Sequence, residues 1–145
     1  MNRRAILFLA LGSTCAPVLC AQAAESASRI NVVYHLSEGL PQASRALRQI
    51  RNHLRADANT KIVVVALANG VDFLLLDAVD AGNYPYELLV QPLAAEGVEF
   101  RVCQNTLDSR LIKREQLLED AKFVPSGVAE LARLQARDGY AYIKP

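Results

Sequence analysis

This chain of 145 residues carries little that announces a function. It has no excess of either charge: 16 basic and 15 acidic side chains leave a net charge of +1, which argues against a strongly basic nucleic-acid binder. Three cysteines are too few for a disulfide-framework miniprotein. Two histidines and a cysteine without short ligand spacing do not make a metal motif. There is no G-x-S-x-G elbow, no H-E-x-x-H and no phosphate-cradling G-x-x-x-x-G-K, and no G-x-G-x-x-G follows the first strand-like run. A nucleotide or dinucleotide role therefore lacks its glycine loop. What the chain has in quantity is apolar side chain. At 52% hydrophobic and 21% charged it has ample material for a core, which excludes intrinsic disorder. Its length is that of one domain, with no repeat, low-complexity tract or linker.

The first 23 residues read as a targeting segment, which places the domain at residues 24–145. Arg3 and Arg4 precede an apolar core, Ala5 to Leu11, and small residues at Ala21 and Ala23 suit a signal peptidase. The apolar run is broken by Gly12 and Pro17 and falls short of the roughly 20 residues a bilayer-spanning helix needs. Cys15 and Cys20 follow Thr14 and Leu19, where a lipoprotein signal normally has a small residue. The expectation is a cleaved export signal, a periplasmic protein and no stable membrane insertion afterwards. Cleavage removes two of the three cysteines, and only Cys103 remains. A single cysteine in an oxidising compartment is buried and inert, paired between chains, or a working thiol.

The remainder alternates strand and helix patterns. Ile30 to Leu36 and Lys61 to Ala68 are apolar, β-branched runs, as strands covered on both faces would be. Leu40, Ala43, Leu47, Ile50 and Leu54 recur at helical spacing, with Arg45, Arg48, Arg51 and Arg55 on the opposite, solvated face. A helix should begin at Val71 to Leu76, and another should run from Pro85 to Glu96, stopped by Gly97. Val98 to Val102 is the third strand, followed by a short helical piece within Thr106 to Leu118 and a strand at Lys122 to Val124. Ser126 should cap a last helix, Gly127 to Arg137, before a final strand at Tyr140 to Ile143. This order predicts an α/β three-layer sandwich around a mostly parallel sheet of about five strands, flavodoxin-like in outline.

Ligands of open α/β sheets bind beyond the carboxyl ends of the strands. Those positions hold His35 to Gly39, Asn69 and Gly70, Cys103 to Thr106, and Pro125 to Gly127. Cys103 would precede a short helix capped by Asn105 or Thr106, where unpaired N–H groups favour a thiolate. Arg101 and Arg110 are close in sequence, and His35 is a candidate base for the thiol, with nothing to fix the distance. His53, beside the apolar stripe of its helix, reads as a structural residue. Free cysteines are also among the most buried residue types, so a packed, inert Cys103 is the other reading.

Several segments, in order, resemble the DsrE/DsrF-like family, in particular its exported branch of small proteins. They are VYHL (33–36), NHL (52–54), ANGVDFLL (68–75), FRVCQNTL (100–107) and FVPSGVAELARLQARDGYAYIKP (123–145). The resemblance implies a parallel α/β sandwich assembled as a homotrimer or homohexamer, without metal or organic cofactor. It also implies a cysteine that carries sulfur as a persulfide between a donor and an acceptor protein. That role falls on Cys103, with Asn105 and Thr106 shaping its loop and Ser126 and Gly127 on the neighbouring strand end. Leu67 stands where related exported sequences have a histidine. The resemblance leaves two further readings: a non-catalytic oligomeric binding protein in which Cys103 only packs, and a redox-sensing thiol.

Overall fold

The computed structural model describes residues 29–145, so the expected export signal at residues 1–23 lies outside the described residues. Five strands form one sheet: β1 (Asn31–Leu36), β2 (Lys61–Ala66), β3 (Glu99–Cys103), β4 (Ala121–Val124) and β5 (Ala141–Ile143). Every pairing is parallel and the order is β4-β3-β2-β1-β5. Four α-helices accompany them: α1 (Leu40–Ala56), α2 (Glu87–Ala95), α3 (Gln104–Ser109) and α4 (Gly127–Ala136).

The strand order explains the layers. From β1 to β4 the chain steps in one direction, and right-handed crossovers place those connections over one face. The link from β4 to β5 returns to the far edge, and the same handedness puts α4 over the opposite face. Alternation along the strands matches. Val32, Tyr34, Leu36, Ile62, Val64, Ala66, Phe100 and Val102 pack under α1 and α2, whereas Val33, Val63 and Val65 pack with Leu131, Leu134 and Tyr140 on the α4 side. Both faces of β1 and β2 are thus covered, which is why their sequences read as continuous apolar runs.

Local chemistry sets the helix ends. The turn into α1 passes through Gly39 at φ 88, followed by Pro41 in the first turn. Ser126 caps α4 by accepting the Ala129 N–H at 3.4 Å, and Gly139 at φ 68 turns the chain out of it. Two expectations change. The helix expected from Val71 begins earlier, as a 3-10 helix at Ala68–Leu74. It buries Gly70, Val71, Phe73 and Leu74, most of its circumference, and the bridge from Leu75 to Leu117 ends it. The cap of α3 is neither Asn105 nor Thr106: the helix starts at Gln104, and Cys103 itself holds the cap position. No helix among the described residues is long and apolar enough to cross a membrane.

Candidate functional site

Cys103 ends β3 between two diverging paths. After β3 the chain turns to the face of α1, where Leu107 of α3 joins the core, and after β4 it turns to the face of α4. Adjacent strands that send their chains to opposite faces leave a crevice at their carboxyl ends. The cysteine sits at that point, with first-turn amides of both helices beside it.

In the cap position, the Cys103 side chain stands where a Ser or Asp oxygen would face the second and third amides of a helix. The Asn105 and Thr106 N–H groups face the sulfur, joined by the Thr106 hydroxyl and by the Gly127 N–H of α4. They are not conventional cap bonds: the Cys103 side chain makes none, and the Asn105 N–H donates to the Pro125 carbonyl oxygen at 3.3 Å. Burial pushes the Cys103 thiol up, but the contacts from Gly127, Thr106 and Asn105 outweigh it and hold the thiol below its ordinary value. Only 6% of the residue is exposed, so Cys103 is buried at the strand end.

The supporting residues are locked by the same loops. The Thr106 hydroxyl accepts the Ala68 N–H at 3.0 Å, which leaves its own proton free for the sulfur. Ala68 holds a left-handed conformation at φ 49, a strained one for a residue with a Cβ. Arg110 secures this turn by donating to the Ala68 carbonyl oxygen at 3.0 Å and to Asp72 at 2.6 Å. Gly127 is needed for closeness: a Cβ there would lie 3.1 Å from the Cys103 Cβ and 3.0 Å from Leu67 Cδ2. Gly70 is needed for the neighbouring turn, since a Cβ would fall 2.1 Å from the Leu36 carbonyl oxygen.

Thr106, Gly127 and the Asn105 backbone are therefore brought to Cys103. Ser126 acts indirectly, as the cap of α4. Asn69 is exposed on the rim near Gly39, and Gly70 serves packing. His35 does not join the thiol. It pairs in register with Val65, which pairs with Arg101, so β2 intervenes. Strand spacing and rise put its Cα about 12 Å from that of Cys103. His35 Nδ1 instead bonds the Tyr142 hydroxyl at 2.7 Å, and its Nε2 is buried without a partner. His53 bonds the Tyr34 hydroxyl at 3.0 Å, a structural role. Among the described residues no group of three or more His, Cys, Asp or Glu is placed to hold a metal ion. A cavity of about 620 Å³, lined by Leu40, Asp72, Leu76, Val79 and Arg110, does not include Cys103. Sequence reasoning missed the contribution of Leu67, which packs against the start of α4, and of Glu130, which grips Arg101 from α4.

Residues 28–145 match the DsrE/DsrF-like family. Among solved structures, the chain is similar to MTH1491 of Methanobacterium thermoautotrophicum, described as a protein of unknown function. The identity is 32% and the TM-score 0.71, with 80% of this chain and 99% of that one covered. It is also similar to the ychN protein of E. coli, with a TM-score of 0.64 at 17% identity over 81% of this chain and 98% of that one, a likeness of fold. No curated protein matches the sequence.

Proposed function

Because the chain belongs to the DsrE/DsrF-like family, we propose that it is a sulfur carrier whose Cys103 holds sulfane sulfur as a persulfide. The observation that carries this reading is Cys103 in the cap position of α3 with the start of α4 packed against it at the crevice between β3 and β4, where the Gly127, Thr106 and Asn105 groups hold the thiol below its ordinary value. The Cys103 thiolate attacks the outer sulfur of a persulfide donor, R–S–SH. A new S–S bond forms, the donor's S–S bond breaks, and R–S⁻ leaves and takes up a proton. In the second half, an acceptor thiolate attacks the outer sulfur of Cys103–S–SH. Cys103 departs as a thiolate, and the same donors that favoured it as nucleophile stabilise it as leaving group. Sulfane sulfur moves without net oxidation and without a metal or organic cofactor.

The export pattern at residues 1–23 supports a periplasmic setting, and the family supports a homotrimer or homohexamer in which sulfur passes between donor and acceptor proteins. The competing reading, a packed cysteine in a binding protein, draws on the 6% exposure of Cys103. Intact mass after incubation with a persulfide donor decides between them. Gain of one sulfur atom by the wild type and none by Cys103→Ser is expected. A wild-type mass that stays unchanged would overturn the carrier role.

A further inference from the structure

Arg101 precedes Cys103 by two residues on β3, so both side chains leave the sheet on the α4 side. Glu130 follows Gly127 by three residues on α4, about one turn along the same side of the helix. Arg101 Nη1 donates to Glu130 Oε1, while its Nε and Nη2 donate to Glu99 Oε2 at 3.2 and 2.7 Å. Arg133 grips Glu130 from the other side, Nε to Oε2 and Nη2 to Oε1, each at 3.0 Å. The Arg101 and Glu130 side chains are 15% and 11% exposed, so water competes weakly for this pair.

Strand β3 and helix α4 therefore meet twice: where Gly127 packs against Cys103, its N–H among the groups that lower the thiol, and about two strand residues lower at Arg101 and Glu130. The lower contact is an ion pair between part-buried charges, and the upper one a backbone N–H beside a sulfur. A Cβ on Gly127 would lie 3.1 Å from the Cys103 Cβ, so the two chains are packed closely there and a small tilt of α4 lengthens the upper contact. We propose that Arg101 is a positioning residue for Cys103: its ion pair with Glu130 fixes the seat of α4 and so holds the Gly127 N–H on the sulfur. The proposal rests on the reading of Cys103 as a reactive thiol. Arg101 shares Glu99 with Lys61 and Lys122, and Glu130 with Arg133, so its action through geometry has to be told apart from its field.

The sign of one substitution separates geometry from field. Glu130→Gln removes a negative charge near the thiol. A field effect alone would then lower the pH midpoint of thiol labelling, whereas loss of the tie raises it. The test is alkylation rate against pH in the full chain for wild type, Arg101→Met, Arg101→Lys, Glu130→Gln and Lys122→Gln, with urea unfolding in parallel. Arg101→Met and Glu130→Gln should each raise the midpoint, with thiolate below that midpoint falling about threefold to tenfold. Arg101→Lys should lie between them and wild type, and Lys122→Gln, at an exposed lysine 3.5 Å from Glu99, should match wild type. A lowered midpoint in Glu130→Gln, or an unmoved one in folded Arg101→Met, overturns the proposal. If Arg101→Met does not fold, Glu130→Gln and Arg101→Lys decide. Midpoint shifts in a protein that never gains sulfur would uphold the positioning role and refute the carrier role.

Discussion

Thr106→Val tests the site most directly, because one hydroxyl does two jobs there. It accepts the Ala68 N–H at 3.0 Å, and it is among the groups that hold the Cys103 thiol below its ordinary value. Valine keeps the branched shape and removes the oxygen. A hydrogen bond to a charged group contributes about 1.5–3 kcal/mol, and one to a diffuse sulfur acceptor belongs at or below the bottom of that range. About 1.4 kcal/mol corresponds to one pK unit, so the labelling midpoint of Cys103 should rise by about one. Well below the midpoint the thiolate then falls about tenfold. The more basic thiolate is also more nucleophilic, with a Brønsted slope near 0.4–0.5, which restores roughly threefold in rate. The net loss is only about threefold to fourfold, so the pH midpoint is the measurement to make, not a rate at one pH. The same change leaves the Ala68 N–H without its acceptor, and urea unfolding should show a loss of about 1–3 kcal/mol. Thr106→Ser keeps the hydroxyl and loses a methyl, so its midpoint should stay while stability falls by about 1 kcal/mol. The reasoning fails if Thr106→Val is destabilised with an unmoved midpoint, or if Thr106→Ser shifts as far as Thr106→Val.

Gly127→Ala places a Cβ 3.1 Å from the Cys103 Cβ and 3.2 Å from the Leu67 Cβ, so it should push α4 outward, raise the labelling midpoint and cost about 1 kcal/mol in urea unfolding. Gly70→Ala puts a Cβ 2.1 Å from the Leu36 carbonyl oxygen, where only backbone could yield; a loss of about 4 kcal/mol or more is expected, seen as low soluble yield and an early urea midpoint. For His35, burial and then Lys144 hold the imidazole below its ordinary value, against a smaller opposing effect of Glu38. Below about pH 6.5 the unfolded chain takes up a proton that the folded chain does not, so stability falls as pH falls through that range. His35→Asn should flatten that part of the urea-stability profile, and an unchanged slope would exclude His35 as its cause.

The strands that build the sheet were legible for a physical reason. Runs such as Asn31 to Leu36 and Lys61 to Ala66 are covered on both faces, so burial demands apolar residues at every step. The carboxyl-end rim followed from the alternation of strands and helices, and Cys103, Thr106 and Gly127 lie at the ends of β3 and β4. The cap of α3 was not legible, because cysteine is not among the residue types that signal a helix start; Asn105 and Thr106 are, and they drew the boundary two to three residues too late. The relation of His35 to Cys103 was not legible either. Both end strands on the rim, but only the order β3-β2-β1 shows that a whole strand lies between them. Arg101 shares the side of Cys103 by simple alternation. Its partner Glu130 lies 29 residues further on, and no local pattern links the two.

Strand order also accounts for the thiol's position. Of the four adjacent pairs in β4-β3-β2-β1-β5, β3 and β4 are the pair whose outgoing chains enter helices on opposite faces. A nucleophile at the end of β1 or β2 would meet the start of a helix from its own strand alone. At the end of β3 it meets two: the amides of Asn105 and Thr106 from the helix that follows, and the amide of Gly127 from the helix that follows its neighbour. The helix starts supply the N–H groups that favour its anion. Closeness of those helix starts limits what can stand there. It requires a residue without a Cβ at position 127, and it requires that α4 not drift, which is the office we propose for Arg101 and Glu130 two residues down the strand. The acidity of the cysteine is therefore a property of how β3 and β4 leave the sheet, and substitutions that move α4 should change it without touching the sulfur.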